Sequence, residues 1–478
     1  MAPVDFYHGV RVFESAETPL LVRQNKTAVV GLIGTAEDAD PVKFPLNTPV
    51  QILRPQDAVK LGKKGTLPKA IDTVFDVIVC PIVVVRIEEA ETVSGLWANA
   101  IGDQTKLSGV HAFRQASAKG LYKPRLLCAP GLTQATPPDG IASVNVVNGG
   151  GGYKAATTKV TIAGNGSGAE ARAVIEDEST GSISAIVVTK PGYGYSGQVD
   201  VKIEGEGKSA TANGNIGATL NPVVAELIGV AEKLRAVAYV DGPDTTDEEA
   251  VLYRSLINSD RIAVCDPKGL KFDTTEQINL PEPSSPQFAA QQAAMDLQQG
   301  FWWAGSNVPV KGFVGTNRPI EYPEKSNYMN ENRINTIVNI DNSGFRLWGV
   351  WTCASDLNWQ FIPVRRCADI VNENLEKALL SFVDKPFSKA NLKFIVEGGG
   401  NYLREMELEG AILPGWKVWL PETNTPEEME QGILKLAVKF EPPAPMKDIR
   451  ITMHREPLSY QILLDQTTKQ ITQGALSA

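Results

Sequence analysis

The sequence predicts a multidomain protein of the α/β and α+β classes, because strands and helices alternate in its first half and a Gly-rich stretch interrupts them. Apolar runs typical of buried strands occur at residues 28–36, 82–87 and 261–267. Helix signals occur at residues 67–75, at Pro222 and at the Thr246/Glu249 capping box. The alternation predicts a doubly wound α/β domain with parallel strands, which carries an inserted small all-β module.

The insert contains an internal duplication. IASVNVVNGGGGY at residues 141–153 matches ISAIVVTKPGYGY at residues 183–195, and residues 159–171 match residues 201–212. Alternating apolar residues separated by Gly turns predict two similar β units. The predicted domains are an N-terminal extended arm (1–26), the discontinuous α/β domain (27–135 and 222–281), the Gly-rich β domain (136–221), a C-terminal α+β core (286–450) and a C-terminal arm (451–478).

The predicted C-terminal core begins after the PEPSSP linker, and six of the eight Trp residues lie between Trp302 and Trp416. Apolar residues at helical spacing predict an amphipathic helix from about Val364, and strands are expected at residues 392–397 and 433–440. We expect the tryptophans to anchor the core and protein interfaces rather than to stack on sugars. The residues concerned are Trp302, Trp303, Trp348 and Trp351. Arg365 and Arg366 are held by carboxylates of a partner or are exposed to solvent, and the sequence favours neither.

Composition excludes several classes of function. The net charge is −9 and the sequence has no Lys/Arg block, so we expect no nucleic-acid binding. Five scattered cysteines and three isolated histidines predict neither disulfides nor a metal site. The G-x-G-x-x-G match at residues 192–197 does not open a helix, so it favours β turns over a dinucleotide site. We therefore expect no catalytic residue, cofactor, signal peptide or membrane insertion.

Several blocks in the second half carry a family resemblance. They are GFWWAGSNVPVKGF (300–313), INTIVNIDNSGFRLWGVWTCASD (334–356), FIPVRRCADIVNENLEKALLSFVDKPF (361–387), NYLREMELEGAI (401–412) and the closing KLAVKFEPPAPMKDIRITM. In this order and spacing they resemble contractile phage tail sheath proteins of the myovirus type, which are also related to contractile bacteriocin sheaths.

The resemblance implies a structural subunit that is not an enzyme. Such subunits polymerise as stacked, hexameric rings around an inner tail tube, and contraction drives the tube through the host envelope. The implied partners are further copies of the chain, the tail tube protein, and baseplate and tail terminator proteins. The implied location is the tail of the virion, after assembly in the host bacterial cytoplasm.

The resemblance also implies that both arms contact neighbouring subunits, because sheath arms add strands to neighbouring sheets. The predicted anchors are Val10, Val12 and Phe13 in the N-terminal arm, and Ile451, Met453, Leu458, Tyr460 and Ile462 in the C-terminal arm. Arg404, in the NYLREMELEG segment, is the candidate tube contact.

Two other classes of function compete with this hypothesis. A virion surface protein or adhesin would bind host glycans through the duplicated insert, which in a sheath would decorate or stiffen the particle. A soluble α/β enzyme would need a polar cluster at the strand ends, and Asp241 and Asp266 alone do not make one.

Overall fold

The computed structural model describes residues 26–175, 177–273 and 276–476. The predicted N-terminal anchors Val10, Val12 and Phe13 lie outside these ranges. The described residues up to 444 form one compact unit, and those from 445 onward form a second.

The first unit begins with alternating strands and helices. They are β1 (Val30–Thr35), β2 (Pro49–Ile52), α1 (Thr66–Val77), β3 (Ile82–Ile87), α2 (Val93–Ile101) and β4 (Leu126–Cys128). Six strands of the described insert follow and close into a barrel in the order β10-β5-β8-β7-β6-β9. They are β5 (Gly140–Asn148), β6 (Lys159–Ala163), β7 (Ser167–Val174), β8 (Ala185–Tyr193), β9 (Asp200–Glu204) and β10 (Thr211–Gly217).

The chain then returns to strands and helices. The next elements are α3 (Pro222–Leu234), β11 (Val237–Asp241), α4 (Asp247–Ser255), β12 (Ile262–Cys265), β13 (Gly269–Asp273), β14 (Ile278–Glu282), α5 (Ser285–Gln298), β15 (Val308–Pro309), β16 (Phe313–Thr316), α6 (Glu324–Glu331), β17 (Ile334–Asn339) and β18 (Phe345–Trp348). The last part of this unit contains α7 (Ile362–Leu379), α8 (Lys389–Glu409), β19 (Lys417–Trp419), α9 (Pro426–Glu430) and β20 (Ala437–Lys439).

Within the described ranges, nine strands form one sheet in the order β15-β18-β17-β12-β11-β4-β1-β3-β2. The strands from β17 to β3 in that order pair in parallel, whereas β2 at one edge and β18 and β15 at the other pair antiparallel. The predicted mixture of an α/β architecture with a small β module is therefore confirmed.

The central sheet is buried on both faces, as its near-continuous apolar strands predict. All six residues of β1 are buried. Alternate residues point to opposite faces, so that Val30 and Leu32 join one core cluster while Val29 and Ile33 join the other. Residues of α1 and α5 belong to the first cluster, and residues of α2, α3 and α4 belong to the second.

The described C-terminal helices have a core of their own. In α7, Cys367, Ile370, Val371 and Leu375 recur at helical spacing and pack in one cluster with residues of α8. The helix predicted from about Val364 is present and begins at Ile362.

The structure corrects three predictions. The segment 392–397, predicted as a strand, lies inside α8, which begins where the side chain of Ser388 accepts a hydrogen bond from the Asn391 backbone N–H. Its short apolar run resembles a strand, but burial of Gly398, Tyr402 and Met406 continues with the helical period. Of the other predicted strand, 433–440, β20 covers only Ala437–Lys439.

The predicted start of a separate core at residue 286 is also wrong. Helix α5 packs on the central sheet, and β17 pairs with β12, so the sheet continues through β18. The composition changes after residue 286 because seven of the eight Trp residues lie from Trp302 onward, and composition does not reveal which sheet a strand joins.

Candidate assembly surfaces

The smallest sheet of the first unit is built from β19 and β20. These strands pair antiparallel, with Val418 opposite Val438 and Lys417 opposite Lys439. Val418 and Val438 pack against the core formed by α7 and α8, so one face of the sheet is covered. Among the described residues each of the two strands pairs only with the other, which leaves both outer edges able to accept a further strand.

The second unit exposes most of its large apolar side chains. The predicted contacts Ile451 and Met453 are 82% and 91% exposed, in a stretch without regular secondary structure. Leu458, Tyr460 and Ile462 are also exposed. The prediction that the C-terminal arm (451–478) is extended is wrong for most of its length, because α10 (Ser459–Leu476) is a helix. The apolar residues of an amphipathic helix also alternate over short stretches, which explains the error.

Helix α7 is joined to the amino ends of the central strands by ion pairs. Its acidic residues Asp369, Glu373 and Glu376 are spaced at i, i+4 and i+7, so they share one face. Asp369 pairs with Arg261 beside β12, Glu373 with Arg125 beside β4, and Glu376 with Arg235 after α3. These three ion pairs are not among the contacts predicted from the sequence, although the spacing of the acidic residues on an amphipathic helix is a signal for them.

The environment of Glu373 illustrates the electrostatics of the contact between α7 and the central strands. Burial alone would raise the pKa of Glu373, but the hydrogen bond and charge of Arg125, together with Lys123 and Lys377, lower it to about 2. The Arg125 Nη1 to Glu373 Oε2 distance is 2.6 Å. The carboxylate is therefore ionised throughout the neutral range.

The predicted interface residues Arg365 and Arg366 have partners within their own chain. Arg366 donates to both oxygens of Asp296 on α5, at 2.7 and 2.5 Å, and both side chains are buried. Arg365 pairs with Asp369 and Asp260 and lies over the ring of Trp359. The structure therefore fits neither of the two alternatives, a partner's carboxylates or free exposure to solvent.

The four predicted tryptophans have different environments. Trp351 is buried and donates its Nε1–H to Asn330, at 2.7 Å. Trp302 packs against the α7/α8 core, and Trp348 meets Tyr322 edge to face at 5.5 Å. Trp303 is 49% exposed. Trp303 is thus the one of these four with a largely free surface.

Arg404, the candidate tube contact, is exposed on α8. Its Nη1 donates to Asn401 at 2.8 Å, and its guanidinium lies 5.9 Å from the ring centre of Trp416. These contacts leave the guanidinium accessible, so a contact with another protein remains a prediction.

A polar cluster does lie at the carboxyl ends of β11 and β12. Asp241 accepts hydrogen bonds from the backbone N–H and the hydroxyl of Ser285, both at 2.8 Å. Asp266 pairs with Arg318, which also pairs with Asp247. Burial raises the pKa of Asp241 to about 6. These carboxylates connect β11 and β12 to α5, to Arg318 and to the start of α4.

The barrel is attached to the rest of the first unit by a small set of contacts. Lys190 on β8 pairs with Glu226 on α3 at 2.8 Å, and His111 contacts the other oxygen of Glu226 at 3.2 Å. Tyr193 meets Trp97 edge to face at 5.9 Å. The ends of the insert meet, because the Thr219 N–H donates to the Pro137 carbonyl.

The G-x-G-x-x-G match lies at the end of β8 and in the turn after it, within the barrel. Gly192 and Gly194 both have positive φ, at 62° and 77°, which a β turn accommodates best with glycine.

No group of acidic, His and Cys side chains with metal-binding geometry occurs in the described part of the chain. The helices described for this protein are all too short or too polar to cross a lipid bilayer. All five cysteines are buried and unpaired.

Comparison with known proteins decides the family. A family model for the central domain of phage tail sheath proteins matches residues 202–353, and one for the C-terminal domain matches residues 354–455. The chain is 30% identical to the tail sheath protein of Burkholderia phage BcepMu, over 96% of this chain and 98% of the relative. The chain belongs to the contractile phage tail sheath proteins.

Two further comparisons agree with this family. The sheath protein is 25% identical to the tail sheath protein of Escherichia phage P2, over 94% of this chain and 95% of the relative. Its fold is similar to that of the anti-feeding prophage helical sheath in the contracted state, with a TM-score of 0.59, 18% identity and coverage of 95% and 100%. Members of this family are structural components of the phage tail, so the predicted structural class is confirmed.

Proposed function

We propose that this sheath protein polymerises as stacked, hexameric rings around an inner tail tube and contracts to drive the tube through the host envelope. The observation that carries the proposal is the two-stranded β19/β20 sheet, whose outer edges are unpaired in the described residues. A strand added to such an edge contributes backbone hydrogen bonds and places alternate side chains in pockets.

The two arms are the proposed donors of these strands. In the C-terminal arm, Ile451 and Met453 alternate and are exposed, as strand residues that insert into a neighbour would be. Leu458, Tyr460 and Ile462 would contact the neighbour around the start of α10. Val10, Val12 and Phe13 would play the corresponding role in the N-terminal arm.

Contraction would use energy stored in the assembly, without nucleotide hydrolysis. An extended lattice of higher free energy would convert to a wider and shorter one while the arms keep subunits linked. The buried ion pairs that join α7 to Arg261 beside β12 and to Asp296 on α5 support movement of these elements together, because separating buried charges is costly.

The proposed partners are the tail tube protein, through Arg404 and its surroundings, and the baseplate and tail terminator proteins at the two ends. Assembly would take place in the host bacterial cytoplasm. The insert would lie outward, away from the tube. The strand order of the central sheet and the helices on both faces support a doubly wound connectivity.

Negative-stain electron microscopy of the purified protein tests this proposal. The full chain should form hollow cylinders, whereas a chain that lacks residues 1–26 should give only small species. A chain whose residues 138–218 are replaced by a short Gly-Ser linker is the matched control, and it should still form cylinders. Small discrete particles from the full chain at every concentration would contradict the proposal.

A further inference from the structure

A cleft of about 740 Å³ on the first unit has an unusual charge for a protein with a net charge of −9. It lies beside the segment that leads into β4, between the ends of α3 and α7. Six cationic side chains and a single carboxylate, Glu373, line it. The cations are Lys26, Arg114, Lys123, Arg125, Lys233 and Lys377.

The one carboxylate is already shared. Glu373 lies 2.6 Å from Arg125 Nη1, 3.4 Å from Lys123 Nζ and 3.3 Å from Lys377 Nζ. Its single negative charge cannot balance both Arg125 and Lys123, and Arg114 and Lys233 form no ion pair with the described residues.

Two buried nitrogen atoms of residues that line the cleft have no hydrogen-bond acceptor among the described residues. Arg125 is only 3% exposed, and its Nε has no acceptor among the described residues. The same holds for Nη1 of Arg114. A buried donor without an acceptor destabilises the fold, so such atoms favour an acceptor from outside.

The cations also affect one another. Burial, together with the charge of Arg125, lowers the pKa of Lys123 below its ordinary value, and Glu373 offsets this only in part. An added anion would relieve the repulsion among these side chains. An oxyanion in the cleft would also accept charge-assisted hydrogen bonds from the arginine and lysine side chains that line it.

We propose that this basic cleft binds oxyanions, and that in the assembled sheath the anion is a carboxylate cluster of a neighbouring copy of the chain. The second part rests on the proposed polymerisation. The chain has 55 acidic residues against 46 basic ones, so each copy presents an excess of carboxylates to its neighbours. The cleft is open at the surface and has room for a few side chains, so a protruding acidic segment of a neighbour fits into it.

The experiment compares three full-length variants with the wild type by sedimentation, over a range of NaCl and of sodium phosphate at matched ionic strength. The Arg114→Gln/Lys233→Gln variant, called the Gln/Gln variant, removes two cations and leaves the Arg125–Glu373 pair intact. The Arg114→Lys/Lys233→Arg variant keeps both charges. The control, Lys159→Gln/Lys202→Gln, removes two cations from exposed positions on β6 and β9. Circular dichroism verifies that each variant folds.

We expect phosphate to inhibit wild-type assembly more than chloride does, because phosphate competes for the cleft. The Gln/Gln variant should need about tenfold more protein to assemble and should not distinguish phosphate from chloride. The charge-keeping variant and the control should behave like the wild type. Assembly of the Gln/Gln variant at the wild-type concentration would overturn the neighbour's carboxylate as the occupant. If phosphate promotes assembly of the wild type but not of the Gln/Gln variant, the neighbour's carboxylate is also overturned as the occupant, and the cleft binds a free anion instead.

Failure of the proposed function has a separate signature. If the wild type does not assemble at all, calorimetric titration of the soluble protein with inorganic phosphate tests whether the cleft binds an oxyanion. Saturable binding that is lost in the Gln/Gln variant would support an oxyanion site, and absence of binding to the wild type would overturn it.

Discussion

The barrel and helix α7 are both attached to the central α/β fold, but by different kinds of contact. The barrel is held by a partly exposed lysine, Lys190, and an edge-to-face aromatic pair. Helix α7 is held in part by buried arginine–carboxylate pairs, such as Arg366–Asp296 with side chains 3% and 0% exposed.

The difference indicates how each part depends on the rest. The barrel has its own closed hydrogen-bonding pattern and its own core, centred on residues such as Ile141, Tyr153 and Tyr195. Asp369 and Glu373 of α7 pair with Arg261 beside β12 and Arg125 beside β4, and removal of either partner of these pairs leaves a buried charge. We infer that the barrel is an independent module, whereas α7 is integral to the central fold.

The largest effect is expected at the Arg366–Asp296 pair. The Arg366→Gln substitution leaves Asp296 buried without its cation, so the free energy of unfolding should fall by about 4 kcal/mol. Chemical denaturation followed by tryptophan fluorescence measures it. The control is Arg450→Gln, which removes an exposed pair with Asp448 and should change stability by less than about 0.5 kcal/mol. Equal effects of the two substitutions would contradict the inference that α7 is integral to the central fold.

The next effect concerns Glu373 and pH. Its folded pKa of about 2 lies below its ordinary value of 4.5, so the stability it contributes is present above pH 4.5 and is lost as pH falls toward 2. Glu373→Gln should lower the free energy of unfolding at pH 7 by about 3 kcal/mol and reduce the loss of stability on acidification. Denaturation at several pH values between 7 and 2 measures both. An unchanged acid profile would show that other carboxylates control it.

A smaller and local effect is expected in the barrel. A Cβ at Gly207 would lie 2.4 Å from the ring of Tyr153, so Gly207→Ala should destabilise the barrel by about 2 kcal/mol. Gly151→Ala is the control, because its Cβ would lie 3.4 Å from its nearest neighbour. Hydrogen exchange should rise in β5 to β10 and stay unchanged in β1, β4 and β11. Increased exchange in the central strands would show that the barrel is not independent.

The smallest effect is expected from removing the barrel. Because Thr219 and Pro137 are hydrogen-bonded neighbours, a short Gly-Ser linker can replace residues 138–218. The remaining protein should lose only about 1 kcal/mol, from the Tyr193–Trp97 contact and the Lys190–Glu226 pair. Thermal unfolding measures the change, with Lys190→Gln as the single-contact control. Failure of the shortened chain to fold would contradict the inferred independence.

Much of the fold was predictable from local patterns. The apolar runs at β1, β3 and β12 and the start of α3 at Pro222 follow from residues adjacent in sequence. The duplicated Gly-rich units likewise indicated β structure, and their strands lie between Gly140 and Gly217. Segments such as 392–397 were misread because a short apolar run fits a strand or one face of a helix, and only contacts with the rest of α8 and α7 distinguish them.

Local patterns in the sequence predicted β1, β3, β12 and the start of α3, the repeated insert and the family, because these depend on short-range order along the chain. Only the tertiary structure decided which charges meet. Arg261 and Asp369 are 108 residues apart, and Arg125 and Glu373 are 248 apart, yet each pair is in contact. No local pattern encodes such pairings, because they arise when α7 packs across the amino ends of strands whose order the sequence does not state. The basic cleft between α3 and α7 arises from the same packing.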